Sequence, residues 1–368
     1  MPASRSDLLR LRRLAHAIDG PREPDAASAV RRMLAVQGQD FAAGCWALAL
    51  RTTGATHADV LADLDAGRVI RSWPMRGTLH FVPPEDLRWM LSVTMERLVA
   101  GLGRRQEQLG LAAADFAHAA EVVTAALAGG SSIGRAELMR LWEEAGIVTA
   151  GQRGYHLIYY LAQTGLLCWG PVVRVGNGNA TQALVLLDEW APPPPPLEPD
   201  EAIARFLLRY LQGHGPATLR DFVWWIKGTV SAAKTARAVL SDALTTMEVD
   251  GVEYILTAEL ADRAAGMPAS RSEKDAVHLL PAFDEYLLGY QVRSPILDDE
   301  HAELIVPGGN GVFQPVIVAG GRVVGTWRRD GSRVVPQPFE PLSAARTARL
   351  ERSAREYARY AGGKSSRT

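Results

Sequence analysis

The chain has 368 residues, 47% hydrophobic and 22% charged, with a formal net charge of −1, enough for ordinary buried cores in two to four modules. Its apolar runs stay short of the ~20 residues that span a bilayer, and the opening Met1-Pro2-Ala3-Ser4-Arg5 lacks an apolar signal segment, so a cytoplasmic protein without a membrane partner is expected. Two cysteines, Cys45 and Cys168, exclude a disulfide framework and a cysteine-rich metal site, and the scattered histidines lack metal-ligand spacing, so neither cofactor nor metal is expected.

Helical periodicity covers 6–17 and 26–36, the latter placing Ala29, Val30, Met33 and Leu34 on one face with Arg31 and Arg32 opposite. Helices are also expected over 44–50 and 57–66. Alternation then predicts strands at 69–73 and 75–82, with Pro74 at the break. Helices followed by a short hairpin suit a winged helix. The pattern repeats with helices at 117–127, 135–145 and 152–164. Gly165 stands where a helix-ending glycine belongs. Strands follow at 166–169 and 183–187, around a flexible wing tip at Gly176-Asn177-Gly178-Asn179. Five prolines at 192–196 form a stiff spacer.

A third pass has helices at 202–211, from Thr218 to Ile226 with Asp221 completing a capping box, and at 231–244. A hairpin over 246–256 turns at Asp250-Gly251. Strands at 276–280, 312–317, 323–327 and 333–336, turning at Gly320-Gly321 and Asp330-Gly331, precede an amphipathic helix over 342–361. The expected fold is therefore α+β with three tandem winged-helix modules, at 1–110, 111–191 and 200–262. The linker is 192–199, a β-rich region with a closing helix spans 263–361, and the tail at 362–368 is expected to be disordered. A generic helix-rich α+β repeat is the alternative.

Four stretches taken together carry a resemblance. They are Leu34-Ala35-Val36-Gln37-Gly38-Gln39-Asp40, then Arg71-Ser72-Trp73-Pro74-Met75-Arg76-Gly77-Thr78-Leu79-His80, then Leu279-Leu280-Pro281-Ala282-Phe283-Asp284-Glu285-Tyr286-Leu287-Leu288-Gly289-Tyr290, and finally Asn310-Gly311-Val312-Phe313 leading to Gly325-Thr326-Trp327-Arg328-Arg329. In this order and spacing they resemble the bacterial winged-helix DNA-binding family of AlkZ-type DNA glycosylases. The resemblance implies winged helices around a concave DNA-binding surface and a double-stranded DNA partner carrying alkylated guanine. It also implies hydrolytic loss of N7-alkylguanine, extending in one branch to unhooking interstrand crosslinks for antibiotic self-protection. The family's motif of two polar residues flanking a small or aliphatic one maps onto Gln37 and Gln39. Gly38 departs from the larger apolar residue usual between them.

The chemistry suits two amides. A guanine alkylated at N7 is cationic and leaves readily, so orienting one water and favouring positive charge on the sugar is the harder task. Residues i and i+2 of an extended segment point the same way, so Gln37 and Gln39 can face one site, at the partly negative C-terminus of the helix 26–36. Alternatively they only cap that helix. Asp40 is either an auxiliary general base or the N-cap of the next helix, the cap being favoured. Arg76, Thr78 and His80 alternate along one strand, which offers phosphate contacts from Arg76 and Thr78 and a pocket lining from His80, or merely a packed strand. Asp284 and Glu285 are read as holding arginines between modules, with a direct role near a cationic base as the alternative.

Arg174 and Asn177 on the wing, Lys227, Lys234 and Arg237 near the third helix, and Arg328 and Arg329 at a hairpin are candidate DNA-backbone contacts. Trp224 and Trp225 are read as core. No lysine lies near the motif, which argues against an imine-forming lyase. Nothing suggests an obligate dimer. The expectation is a monomeric, monofunctional DNA glycosylase; the rival is a non-catalytic winged-helix regulator.

Overall fold

The computed structural model describes residues 3–175, 179–191, 195–267, 275–331 and 333–363, so the expected wing tip at 176–178, prolines 192–194 and the tail from 364 lie outside it. Helices and strands are mixed, and the chain forms two compact units, Met1–Val60 with Ile203–Thr368, and Leu61–Ala202.

The first unit opens with α1 (Arg5–Ala15), begun by a Ser4/Asp7 capping box, and α2 (Ala26–Met33), capped by Asp25. The expected helix to residue 36 stops at Met33 because Leu34 takes φ 62° and ψ −48°. Such backbone costs a non-glycine residue about 1–3 kcal/mol. The chain then leaves extended through β1 (Val36–Gln37) and re-enters helix at α3 (Phe41–Leu50). It continues through α4 (His57–Asp65) into the second unit.

In that unit β2 (Ile70–Met75) and β3 (Thr78–Val82) form a hairpin. Pro74, expected at the break, lies within β2, where the pairing register shifts between Ser72 and Met75. Such an irregularity tolerates a residue with no N–H to donate. The turn falls instead on Arg76 and Gly77, both at positive φ. Two helices that periodicity missed follow, α5 (Leu87–Ala100) and α6 (Gly103–Leu109), then α7 (Ala113–Leu127), α8 (Arg135–Glu144) and α9 (Arg153–Gln163). Strands β4 (Leu167–Val175) and β5 (Asn179–Leu186) complete an antiparallel series in the order β3-β2-β4-β5, and α10 (Leu187–Trp190) follows. Trp73, Leu79, Trp142, Leu157, Leu161 and Trp169 form its core.

The first unit resumes with α11 (Pro199–His214), α12 (Leu219–Ile226, opened by the expected Thr218/Asp221 capping box) and α13 (Val230–Val239). The hairpin of β6 (Leu244–Val249) and β7 (Val252–Thr257) turns at Asp250-Gly251, both at positive φ, and α14 (Ala258–Ala265) follows. A four-stranded antiparallel sheet runs β11 (Arg333–Pro338), β10 (Arg322–Asp330), β9 (Val316–Ala319), β8 (Val277–Leu280). The chain closes with the helix Ala344–Gly362.

Two contacts place the segment before Gln37. A Cβ on Gly213 would lie 2.8 Å from the Arg32 carbonyl and 3.0 Å from Met33 Cα, so α11 meets the end of α2 backbone to backbone. Arg32 donates from Nε and Nη2 to the carbonyls of Ala15 (2.8 Å) and Leu14 (2.9 Å), closing the end of α1 onto α2.

Beneath these helices lies a buried polar core. Arg51, at the C-terminal cap of the wholly apolar α3, makes two hydrogen bonds to Asp284 (2.8 and 2.9 Å), with both side chains fully buried. Tyr290 donates to the His214 carbonyl at 2.6 Å, so its oxygen accepts from His16 Nε2 at 2.9 Å. That leaves His16 Nδ1 unprotonated towards Arg51 Nη2, 3.4 Å away. The Arg12 guanidinium sits 3.7 Å from the centre of the Tyr290 ring.

A buried charge pair that loses one partner strands the other. Asp284→Asn is therefore expected to destabilise the protein by about 3–5 kcal/mol, read from denaturant unfolding, and a cost near zero would contradict this assignment. Burial, helped by the positive charge near His214, Arg51 and Arg12, holds the His16 pKa well below 6.5. The unfolded chain takes up a proton there below about pH 6.5 and the folded chain does not, so stability falls as pH drops through that range. The midpoint of thermal unfolding should fall less steeply from about pH 7 to 5 in His16→Gln than in the natural protein; equal slopes would refute it.

Candidate active site

Burial alternates along the motif. Val36 and Gly38 are buried, Gln37 is half-buried and Gln39 exposed, so the two glutamines share the outer side of an extended segment. The helix end expected beside them is displaced. With α2 stopping at Met33, Gln37 lies four residues beyond it.

The Gln37 backbone N–H donates to Glu285 Oε1 at 3.2 Å, while the Gln37 side-chain Oε1 is buried and has no donor among the described residues. Glu285 is itself fully buried and opens the short helix Glu285–Leu288. Its Oε2 accepts the Trp225 indole N–H at 2.8 Å and lies 3.4 Å from His214 Nε2. His214 Nδ1 lies 3.2 Å from the Tyr210 carbonyl and so carries the proton in the neutral ring. Burial lowers its pKa, partly opposed by Glu285. A Cβ on Gly289 would come within 2.4 Å of His214, so only glycine lets the 285–290 turn close against that ring.

Asp40 is exposed and accepts the Ala43 N–H at 3.0 Å, the N-cap role foreseen for it. Asp284 holds an arginine as foreseen, but Arg51 belongs to its own unit. Trp225 is core, whereas Trp224 is half-buried with Arg293 over its ring, 5.1 Å from the centre.

Arg76, Thr78 and His80 belong to the other unit. Arg76 lies in the β2–β3 turn rather than on the strand, at φ 57°, yet its Nη2 reaches His80 Nε2 at 2.8 Å. His80 is fully buried, with Nδ1 2.8 Å from the Thr78 carbonyl. Thr78 is half-buried and its Oγ1 has no partner among the described residues.

Arg174 on β4, Lys234 on α13, and Arg328 and Arg329 on β10 are exposed. Lys227 is also exposed but caps α12 in a left-handed conformation instead of riding the third helix. Arg237 is occupied by Glu253 at 2.8 and 3.3 Å, an exposed pair cheap to exchange. Asn177 lies outside the described residues. No cluster of three or more His, Cys, Asp or Glu that could hold a metal occurs among the described residues.

His16, Arg51 and His214 were not singled out by sequence reasoning. A signal existed for two of them: His16 and Arg51 are ionisable residues within or ending an apolar run, as in Leu48-Ala49-Leu50-Arg51, and buried charges need partners; His214 sits among Gln212, Gly213 and Gly215 and had no such signal.

The model of the AlkZ-like DNA glycosylases matches residues 30–360. An interstrand DNA cross-link repair glycosylase from Streptomyces sahachiroi is 28% identical over 357 residues, covering 92% of each chain. The solved structure of the Streptomyces sahachiroi DNA glycosylase AlkZ superposes with a TM-score of 0.81 at 26% identity, covering 98% of both chains. These matches set aside the non-catalytic regulator. The chain belongs to the AlkZ-like family of DNA glycosylases.

Proposed function

We propose that the protein is a monofunctional glycosylase that hydrolyses the bond between C1′ and N9 of N7-alkylguanine in double-stranded DNA, with Gln37 and Gln39 as its catalytic residues. The observation that carries this reading is the Gln37 side-chain carbonyl oxygen, buried without a donor among the described residues, two residues from a second, exposed glutamine. An acceptor in that state can take a hydrogen from water and aim the water's lone pair at C1′. The Gln39 amide offers donors for a phosphate or sugar oxygen and a carbonyl for the developing positive charge.

As the bond breaks, its electron pair neutralises the cationic base, so the leaving group needs no proton. The water's oxygen bonds to C1′ and its spare proton passes to solvent. Asp40 is engaged at its helix cap and is not required as a base. With no lysine near the motif, the product is an intact abasic site.

Arg174, Lys227, Lys234, Arg328 and Arg329 are read as contacts to the DNA backbone, and the protein as a cytoplasmic monomer. The hairpins β2–β3, β4–β5 and β6–β7, each with its preceding helices, are read as three winged-helix modules. Because a relative is named for cross-link repair, crosslinked DNA is the first bulky substrate to try.

Duplex containing N7-methylguanine, incubated with the protein and then heated in alkali, should break at the lesion. Gln37→Ala and Gln39→Ala should each slow release by about 100-fold or more while DNA affinity changes little. A double variant that releases the base at the natural rate would end the assignment.

A further inference from the structure

We propose that Glu285 is a positioning residue for Gln37: a buried carboxylate that sets the place of the catalytic amide by gripping its backbone. The proposal rests on the reading of Gln37 as catalytic. A side-chain amide can orient water only if its own main chain is fixed, and β1 is only two residues long. Glu285 supplies that fixation from 248 residues away in sequence.

Its two oxygens divide the work. Oε1 takes the Gln37 N–H, and Oε2 takes the Trp225 N–H, which prevents the carboxylate from turning away. His214, stacked on Tyr210 with ring centres 4.8 Å apart and admitted by Gly289, closes the remaining side of Oε2. Both segments that meet in this hydrogen bond carry a non-glycine residue at positive φ, Leu34 at 62° and Phe283 at 60°. Such backbone persists where surroundings over-determine it, and functional sites collect it.

A glutamine at 285 keeps the shape but carries one acceptor and one donor. Whichever way it turns, one N–H then faces another N–H, at Gln37 or at Trp225.

The test is Glu285→Gln in the full chain, with two readouts. Hydrogen exchange of the peptide covering residues 34–40 should speed up, because a buried hydrogen bond there is weakened. The single-turnover rate of N7-methylguanine release should fall by about 10–100-fold, the effect of a small misplacement of a reacting group, with affinity for the same duplex nearly unchanged and a lowered thermal midpoint, since one buried N–H is left without an acceptor. Trp225→Phe, which removes the indole N–H together with one ring of the bicycle and keeps an aromatic body, should shift both readouts in the same direction by a smaller factor, and it decides the matter if Glu285→Gln does not fold. Unchanged exchange, or faster exchange with a natural release rate, would overturn the positioning role. Gln37→Ala measured alongside separates the two claims. If it releases base at the natural rate, the catalytic reading of Gln37 fails; if it is slow while Glu285→Gln is fast, only the role of Glu285 fails.

Discussion

Two adjacent carboxylates, Asp284 and Glu285, lie fully out of water, and each has a partner on a distant segment of the chain. Burying an ion costs several kcal/mol unless well-placed donors meet it. Asp284 is met by the two-pronged Arg51 at the end of α3, and Glu285 by the backbone of Gln37 and the indole of Trp225. Segments far apart in sequence are thereby pinned at one place. The aromatic and histidine side chains around them, His16, Tyr290, Tyr210 and His214, pass hydrogen bonds onward to backbone carbonyls. A nonspecific apolar core would hold these helices together equally well, but it would not hold one peptide N–H at one spot.

That rigidity matters because the proposed chemistry uses weak groups. A glutamine neither accepts a proton as a base nor bears charge. It acts only through placement of its dipole, so its contribution depends on how little it moves. The lesion supplies what the amide lacks, since an alkylated N7 already carries the positive charge that a normal base would need a proton to acquire. Membership in a DNA glycosylase family and a fold shared over nearly the whole chain with the Streptomyces sahachiroi enzyme fit such a division of labour.

Much of the fold was legible where local rules dominate. The Asp250-Gly251 turn, the Thr218/Asp221 capping box and the Gly165 helix end each appear where their chemistry requires. Legibility failed where tertiary contacts override local preference. Nothing local marks Leu34 as a stop, because leucine favours helix. Pro74 reads as a break but is absorbed by an irregular register. The helix α5 escaped because its apolar periodicity is weak, and α6 because it is 7 residues long and buries none of them. Of the site, the motif Gln37-Gly38-Gln39 and the Asp284-Glu285 pair stood out in sequence. The bond joining them did not, since a contact between a backbone N–H and a side chain 248 residues away leaves no trace in spacing.

The central claim is that two uncharged amides suffice because the leaving base is cationic. The most direct measurement compares two matched duplexes, one holding N7-methylguanine and one holding its neutral isostere 7-methyl-7-deazaguanine, each incubated with the natural protein under single-turnover conditions. The cationic base should be released and the neutral one retained. Release of both at similar rates would show that the protein itself activates the leaving group, and the proposed chemistry would be wrong.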